Sequence, residues 1–266
     1  MGMSSQARGP VLLLDMASCT DRGRAREHNE DALACDAPAG VAVLADGMGG
    51  YAAGEVASGA AAAQIASDLA RLKIEYPSVS PADLMQAMHD SIRRVNDQIY
   101  RAARKDPRYT GMGTTLVAAA FTGQVAVIAH AGDSRAYLLR DGRLRRMTRD
   151  HSLLQERIDL GLLREDDPAG DSMRNLITRA LGVDPYLEPE IGVHGLRDAD
   201  LVLLCSDGLN DMIDDASIEQ ILREHGDVPD EAARLLVEHA NAAGGRDNIS
   251  VILIGLRLGE PPSGAD

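Results

Sequence analysis

Val41-Ala42-Val43-Leu44-Ala45-Asp46-Gly47 is the stretch on which the reading of the fold turns. Its apolar run is too short for a helix and long enough for a strand buried on both faces. The run stops at a carboxylate followed by a glycine. The pattern recurs at Val127-Ile128-Ala129-His130-Ala131-Gly132-Asp133-Ser134 and at Leu201-Val202-Leu203-Leu204-Cys205-Ser206-Asp207-Gly208. A fourth acid, Asp247 of Arg246-Asp247-Asn248, stands just ahead of the apolar run that begins at Ile249.

A carboxylate at the end of a buried strand is held by the sheet yet lies at a core edge that a ligand can reach. Several such carboxylates brought together repel one another unless a cation neutralises them. Oxygen donors alone suit hard cations such as Mg²⁺ and Mn²⁺. Taken singly, each Asp-Gly also reads as an ordinary turn, as Asp141-Gly142 does between two short stretches. From spacing alone, turn and metal site both stay open.

Outward from these runs, residues 54–72 read as an alanine-rich helix. Residues 81–104 read as a second, with Pro81 in its first turn and Leu84, Met88, Ile92, Val95 and Ile99 at helical spacing. The period then changes: 114–121, 125–131 and 135–140 read as consecutive strands, and Asp141-Gly142 leads into 144–147 as a hairpin. A short helix at 152–160 follows, then a polar surface loop at 161–174 carrying Asp166, Asp167, Pro168 and Gly170. Further strands fall at 187–193, 201–205 and 249–256, and helices at 216–224 and 230–241. Strands in runs and helices in pairs predict a largely antiparallel α+β layered fold, not a doubly wound parallel sheet. Residues 11–258 read as a single domain between disordered ends at 1–10 and 259–266.

The 266 residues carry a formal charge of -14, which argues against binding nucleic acid through its phosphates and against anionic membranes. A phosphate ligand would need a local device, a cation or a placed arginine. With one Phe, six Tyr and no Trp, the core must be aliphatic. Cys19, Cys35 and Cys205 are widely separated, with no C-x-x-C pair, which fits a reducing cytoplasm. No secretory leader and no run near the roughly 18 apolar residues of a membrane helix is seen. The Gly-rich segments 47–50 and 111–113 match no P-loop, there is no nucleophile elbow or H-E-x-x-H, and no metal-type spacing links the seven His.

A set of motifs in order now bears on function. Thr20-Asp21-Arg22-Gly23-Arg24-Ala25-Arg26-Glu27-His28-Asn29-Glu30-Asp31, Asp46-Gly47-Met48-Gly49-Gly50 and Gly111-Met112-Gly113-Thr114-Thr115 come first. Gly132-Asp133-Ser134-Arg135, Asp150-His151-Ser152, Ser206-Asp207-Gly208-Leu209-Asn210-Asp211 and Arg246-Asp247-Asn248 complete it. Together they resemble the metal-dependent serine/threonine phosphatases of type 2C. Met48 stands where the eukaryotic members carry a His thought to protonate the leaving group, and in this the chain is similar to the bacterial branch.

The resemblance implies a four-layer α-β-β-α sandwich, two antiparallel sheets flanked by helices, with a dinuclear metal cleft at one edge. It implies hydrolysis of phosphoserine and phosphothreonine in proteins by a water that two Mn²⁺ or Mg²⁺ ions share. Asp46 would bridge the ions, Gly47 would offer its carbonyl, Asp207 and Asp247 would complete one site, and Glu30 would serve the other. Asp133 and Asp211 would hold a weaker third metal, and Arg26 the substrate phosphate. The implied partners are phosphorylated proteins and a cognate bacterial Ser/Thr kinase, with the enzyme a cytoplasmic monomer. Segment 161–174 corresponds to the flap of that branch, and 175–182 follows it. Arg143, Arg145, Arg146 and Arg149 read as a solvated hairpin face. A metal-dead binding module would lack these ligands, and a phosphatase with an aspartyl nucleophile would need a second Asp where Met48 stands.

Overall fold

The computed structural model describes residues 11–49, 53–164, 167, 170 and 173–259. Of the ends read as disordered, 1–10 and 260–266 lie outside these residues, as do Gly50 and Asp166 and Pro168 of the surface loop, whereas Gly259, expected in the tail, closes the last strand. One sheet takes β1 (Val11–Asp21), β7 (Arg135–Arg140), β8 (Arg143–Arg146), β10 (Leu201–Cys205) and β11 (Ile249–Gly259) in the order β1-β11-β10-β7-β8. The other takes β2 (Asp31–Asp36), β3 (Val41–Met48), β5 (Leu116–Thr122), β6 (Val125–Ala131) and β9 (Glu190–Gly195) in the order β2-β3-β5-β6-β9, with β4 (Gly113–Thr114) pairing the end of β3. Neighbouring strands run antiparallel throughout.

Both sheets are covered on both faces, which is why the deciding runs are continuous in apolarity and do not alternate. Along β3, Val41, Val43 and Ala45 face helices α1 (Ala53–Glu75) and α2 (Pro81–Lys105), whereas Ala42 and Leu44 face the opposite sheet. Along β10, Leu201, Leu203 and Cys205 face α5 (Asp215–His225) and α6 (Pro229–Ala242), whereas Val202 and Leu204 turn inward. The result is the expected four-layer α-β-β-α sandwich.

Local chemistry sets the boundaries. The Ser80 side chain accepts from the Asp83 N–H and Pro81 opens α2. In the hairpin between β7 and β8, Asp141 (φ 52°) and Gly142 (φ 71°) adopt the left-handed pair of a type I′ turn. Two short helices complete the chain, α3 (Leu153–Asp159) and α4 (Asp207–Asn210). Among the described residues no helix is long and apolar enough to cross a membrane.

Four departures from the sequence expectation have physical causes. Beyond its first apolar residues, β1 carries no strand signal, because it is an edge strand: Leu12, Leu14 and Met16 pack inward while Asp15 and Ser18 are exposed. Strand β2 is bracketed by Asp31 and Asp36 and only half-buried, so its pattern is weak. The strand expected from 114 is split at Thr115, where β3 changes partner from β5 to β4. Strand β9 begins at Glu190 and runs to Gly195, later than the apolar run at 187 suggests.

Candidate metal centre

The strand ends of both sheets open on the same edge, and the acids gather there. Glu30 and Asp31 lead into β2, and Asp46 lies opposite Asp31 in the β2–β3 register. Asp133 follows β6, Asp207 follows β10 as the first residue of α4, Asp211 ends α4, and Asp247 precedes β11. Asp133 is buried, Asp46, Asp207, Asp247 and Glu30 are half-buried, and Asp211 and Arg26 are exposed. The cluster therefore grades from core to solvent, as a site open on one side requires.

The backbone under each acid is fixed. Asp46 donates its N–H to Thr115 Oγ1 (3.2 Å), and its carbonyl accepts from the Thr115 N–H (2.8 Å) and Thr114 Oγ1 (2.9 Å). Thr115 Oγ1 also meets Ser134 Oγ at 2.7 Å, tying the Asp46 strand to the Asp133 turn. The Gly47 N–H donates to the Glu30 carbonyl (3.1 Å), which also accepts from Ser58 Oγ (2.5 Å). A Cβ at Gly47 would come within 2.3 Å of the Gly54 carbonyl, so only glycine fits where the β3 end meets the start of α1.

The electrostatics leave the cluster over-supplied with negative charge. Burial, followed by the neighbouring Asp31, Asp207, Asp133 and Asp247, holds the Asp46 carboxyl well above the usual carboxylate range. Burial and then Asp133, Asp211 and Asp247 do the same to Asp207. Burial followed by Asp150 pushes Asp133 up to about 7, and burial raises Asp31 to about 6 against hydrogen bonds from Ser250 and Ser206. Asp211 and Glu30 are raised as well, chiefly by burial. Asp31 Oδ1, Asp133 Oδ1 and Asp207 Oδ1 are buried and have no hydrogen-bond partner among the described residues. Orphaned carboxylate oxygens aimed into one cluster of raised acids are the donor set that hard divalent cations take.

Each acid expected as a ligand, and Arg26, lies at this edge. Arg26 is drawn to it directly: its Nη2 donates to Asp247 Oδ2 at 2.6 Å. Met48 ends β3 beside Gly113. The sequence reading passed over Asp31 as a member of the cluster, although its place next to Glu30 in the first motif was a usable signal. Segment 175–182 returns through an isolated bridge between Leu181 and Thr114, which pins it next to the Asp46 strand. Arg143, Arg146 and Arg149 pair with Glu219, Asp150 and Asp159.

A second constellation was not visible in the sequence. His130, His151 and Glu190 offer ligand atoms within 4.8 Å of one another. The two rings are stacked, with centroids 4.6 Å apart and planes at 10°. An imidazole binds a metal along an in-plane lone pair, rings stacked face to face aim those lone pairs side by side, and His130 Nε2 already meets the Arg149 carbonyl at 2.7 Å. The Arg179 guanidinium also stands 3.3 Å from His151 Nε2. With the Gly132 N–H donating to His151 Nδ1 (3.2 Å) and Thr178 N–H to the His151 carbonyl (2.8 Å), the trio braces the Asp133 turn against the exit of the flap.

Comparison with known proteins agrees with this geometry. The family described as Protein phosphatase 2C matches residues 17–249. The chain is 38% identical over 239 residues to the serine/threonine phosphatase stp of Listeria welshimeri, covering 88% of this chain and 93% of that protein. The crystal structure of the S. agalactiae serine/threonine phosphatase superposes with a TM-score of 0.83 at 36% identity, covering 91% of this chain and 98% of the other. The catalytic domain of the serine/threonine protein phosphatase PstP, solved in complex with two manganese ions, gives a TM-score of 0.80 at 36% identity over 93% of this chain and all of that one. The chain belongs to the protein phosphatase 2C family. Within it, the chain is a metal-dependent serine/threonine protein phosphatase of the bacterial type.

Proposed function

We propose that Asp46, the Gly47 carbonyl, Asp207, Asp247 and Glu30 hold two Mn²⁺ or Mg²⁺ ions, with Asp133 and Asp211 serving a third. The observation that carries this is the set of buried, unpartnered oxygens on Asp31, Asp133 and Asp207 amid carboxyls whose proton affinity is raised. When bound, such ions supply a water of lowered pKa for attack on phosphorus and neutralise charge on the phosphoryl oxygens.

The protein's own contribution is placement. The sheets hold the acids at fixed separations, and the core behind Asp133 and Asp46 excludes water. Arg26, anchored on Asp247, turns the rest of its planar fork toward the oxygens of a phosphoserine or phosphothreonine ester. Met48 brings no proton to the leaving alkoxide, since a thioether has none to donate.

On this reading residues 11–258 are one catalytic domain, and its substrates are phosphorylated proteins. The reaction reverses a cognate bacterial Ser/Thr kinase in the cytoplasm, with the enzyme acting as a monomer. The test is phosphate release from a phosphothreonine peptide with Mn²⁺, with EDTA, and with Asp207→Ala. Turnover that needs Mn²⁺ and is lost with either EDTA or the substitution supports the proposal. Mn²⁺ binding by calorimetry without turnover on any phosphopeptide would leave the metal reading standing, overturn the catalytic one and leave a regulatory binding module.

A further inference from the structure

The Arg246-Asp247-Asn248 motif contains a residue that the metal reading leaves unused. Asn248 is only 5% exposed, and its amide is fully engaged. Its Nδ2 donates to the Arg22 carbonyl at 3.0 Å and to the His28 carbonyl at 2.9 Å. Its Oδ1 accepts from the Glu30 N–H at 2.8 Å. These three backbone groups sit on either side of the turn that carries Arg26, with Arg22 at its entry and His28 and Glu30 at its exit.

The Glu30 end of the turn is also held through its carbonyl, by the Gly47 N–H (3.1 Å) and Ser58 Oγ (2.5 Å), and Arg22 Nη1 reaches the Glu27 carbonyl at 3.5 Å, so the clasp matters most for the stretch that carries Arg26. Residues 24–28 are exposed and form neither helix nor strand. Its tip is fastened by the Gly245 carbonyl, which accepts from the N–H groups of Arg24 (2.7 Å) and Ala25 (3.2 Å). Gly23, at φ +77°, lies against the Asp247 carbonyl so closely that a Cβ would come within 2.1 Å of it. The contacts to Gly23, Arg24 and Ala25 come from the stretch Gly245–Asn248, which also carries Asp247.

We propose that Asn248 is a positioning residue: its side-chain amide clasps the two ends of the Arg22–Glu30 turn and so sets Arg26 relative to Asp247. The inference rests on the phosphatase reading above for the role of Arg26. The chemistry of the clasp is specific to Asn. Two of its partners are carbonyls and one is an N–H, which an amide satisfies with two donors and an acceptor. An Asp would set a carboxylate oxygen against two carbonyls. An Ala would leave both carbonyls and the Glu30 N–H without their partner.

The experiment combines amide hydrogen exchange on the metal-free protein with a thermodynamic cycle in Mn²⁺. Asn248→Ala is expected to speed exchange at the amides of residues 22–30 while β10 and β11 keep wild-type protection. It is expected to lower kcat/KM for a phosphothreonine peptide about 10- to 100-fold, the scale of a misplaced binding group. In an Arg26→Ala background the same substitution is expected to cost less than about threefold, because the group it positions is already gone. Equal costs in the two backgrounds, or unchanged exchange in the turn, would overturn the proposal. If Asn248→Ala does not fold, Asn248→Asp, which keeps the volume and the acceptor for Glu30, goes through the same measurements with the same outcomes. A wild-type protein without Mn²⁺-dependent turnover would overturn the phosphatase reading, and the exchange result would still decide whether the clasp exists.

Discussion

Asp133→Asn is expected to make the metal-free protein more stable at pH 8 while weakening its response to metal. The Asp133 carboxyl is buried beside Asp150 and Asp211, and its Oδ1 has no partner among the described residues. Its pKa rises from an ordinary 3.8 to about 7. At pH 8 the folded protein must carry a charge that the unfolded chain carries more easily, a handicap of about 4 kcal/mol for that shift. Sharing of charge among the neighbouring acids brings the expected gain to on the order of 2–4 kcal/mol. For a chain of this size that is roughly 5–10 °C in Tm. Below pH about 4 the group is protonated in both states, so wild type and variant are expected to melt together. The gap opens as pH rises from about 4 to 7 and is constant above. The assay is a calorimetric melt in EDTA across that range, repeated with Mn²⁺, where the wild type is expected to gain more than the variant. A variant that melts at or below the wild type at pH 8 in EDTA would refute the claim that the cluster is an uncompensated anionic site.

Three further outcomes follow from the same geometry. Arg26→Ala is expected to lower kcat/KM on phosphothreonine peptides about 10- to 100-fold, the loss of a charge-assisted contact, and steady-state kinetics in Mn²⁺ check it. Gly23→Ala forces a Cβ into the Asp247 carbonyl at a left-handed φ, so a cost of at least about 1–3 kcal/mol in urea unfolding is expected, together with loss of turnover. Asp150→Ala strands Arg135, whose guanidinium donates to both Asp150 oxygens (Nε at 3.0 Å, Nη2 at 2.6 Å) in a largely buried pair. Breaking that pair is expected to cost about 3–5 kcal/mol, and an unchanged urea midpoint would show that solvent replaces the lost partner.

The layered fold was legible in the sequence because runs such as 41–45, 125–129 and 201–205 are apolar at every position. Only a strand covered on both faces needs that, and short length excludes a helix. The same runs announced the acids, since a charged residue directly after a buried strand can only lie at a sheet edge. Edge strands β1 and β2 escaped, because a strand with one exposed face or a polar end carries half the signal. The split at Thr115 escaped because it arises from β3 exchanging partners, a property of two strands far apart in the chain.

For the site, the sequence named candidate ligands but left open whether each Asp was a turn or a ligand. That choice depends on convergence, and convergence is decided by the antiparallel stacking that brings the ends of β3, β6 and β10 and the starts of β2 and β11 to one edge. Asp31, the His130–His151 brace and the Asn248 clasp became visible only in three dimensions. Their meaning lies in hydrogen bonds between residues up to 226 positions apart, such as Asn248 to Arg22, and local patterning encodes a residue's burial but not the identity of so distant a partner.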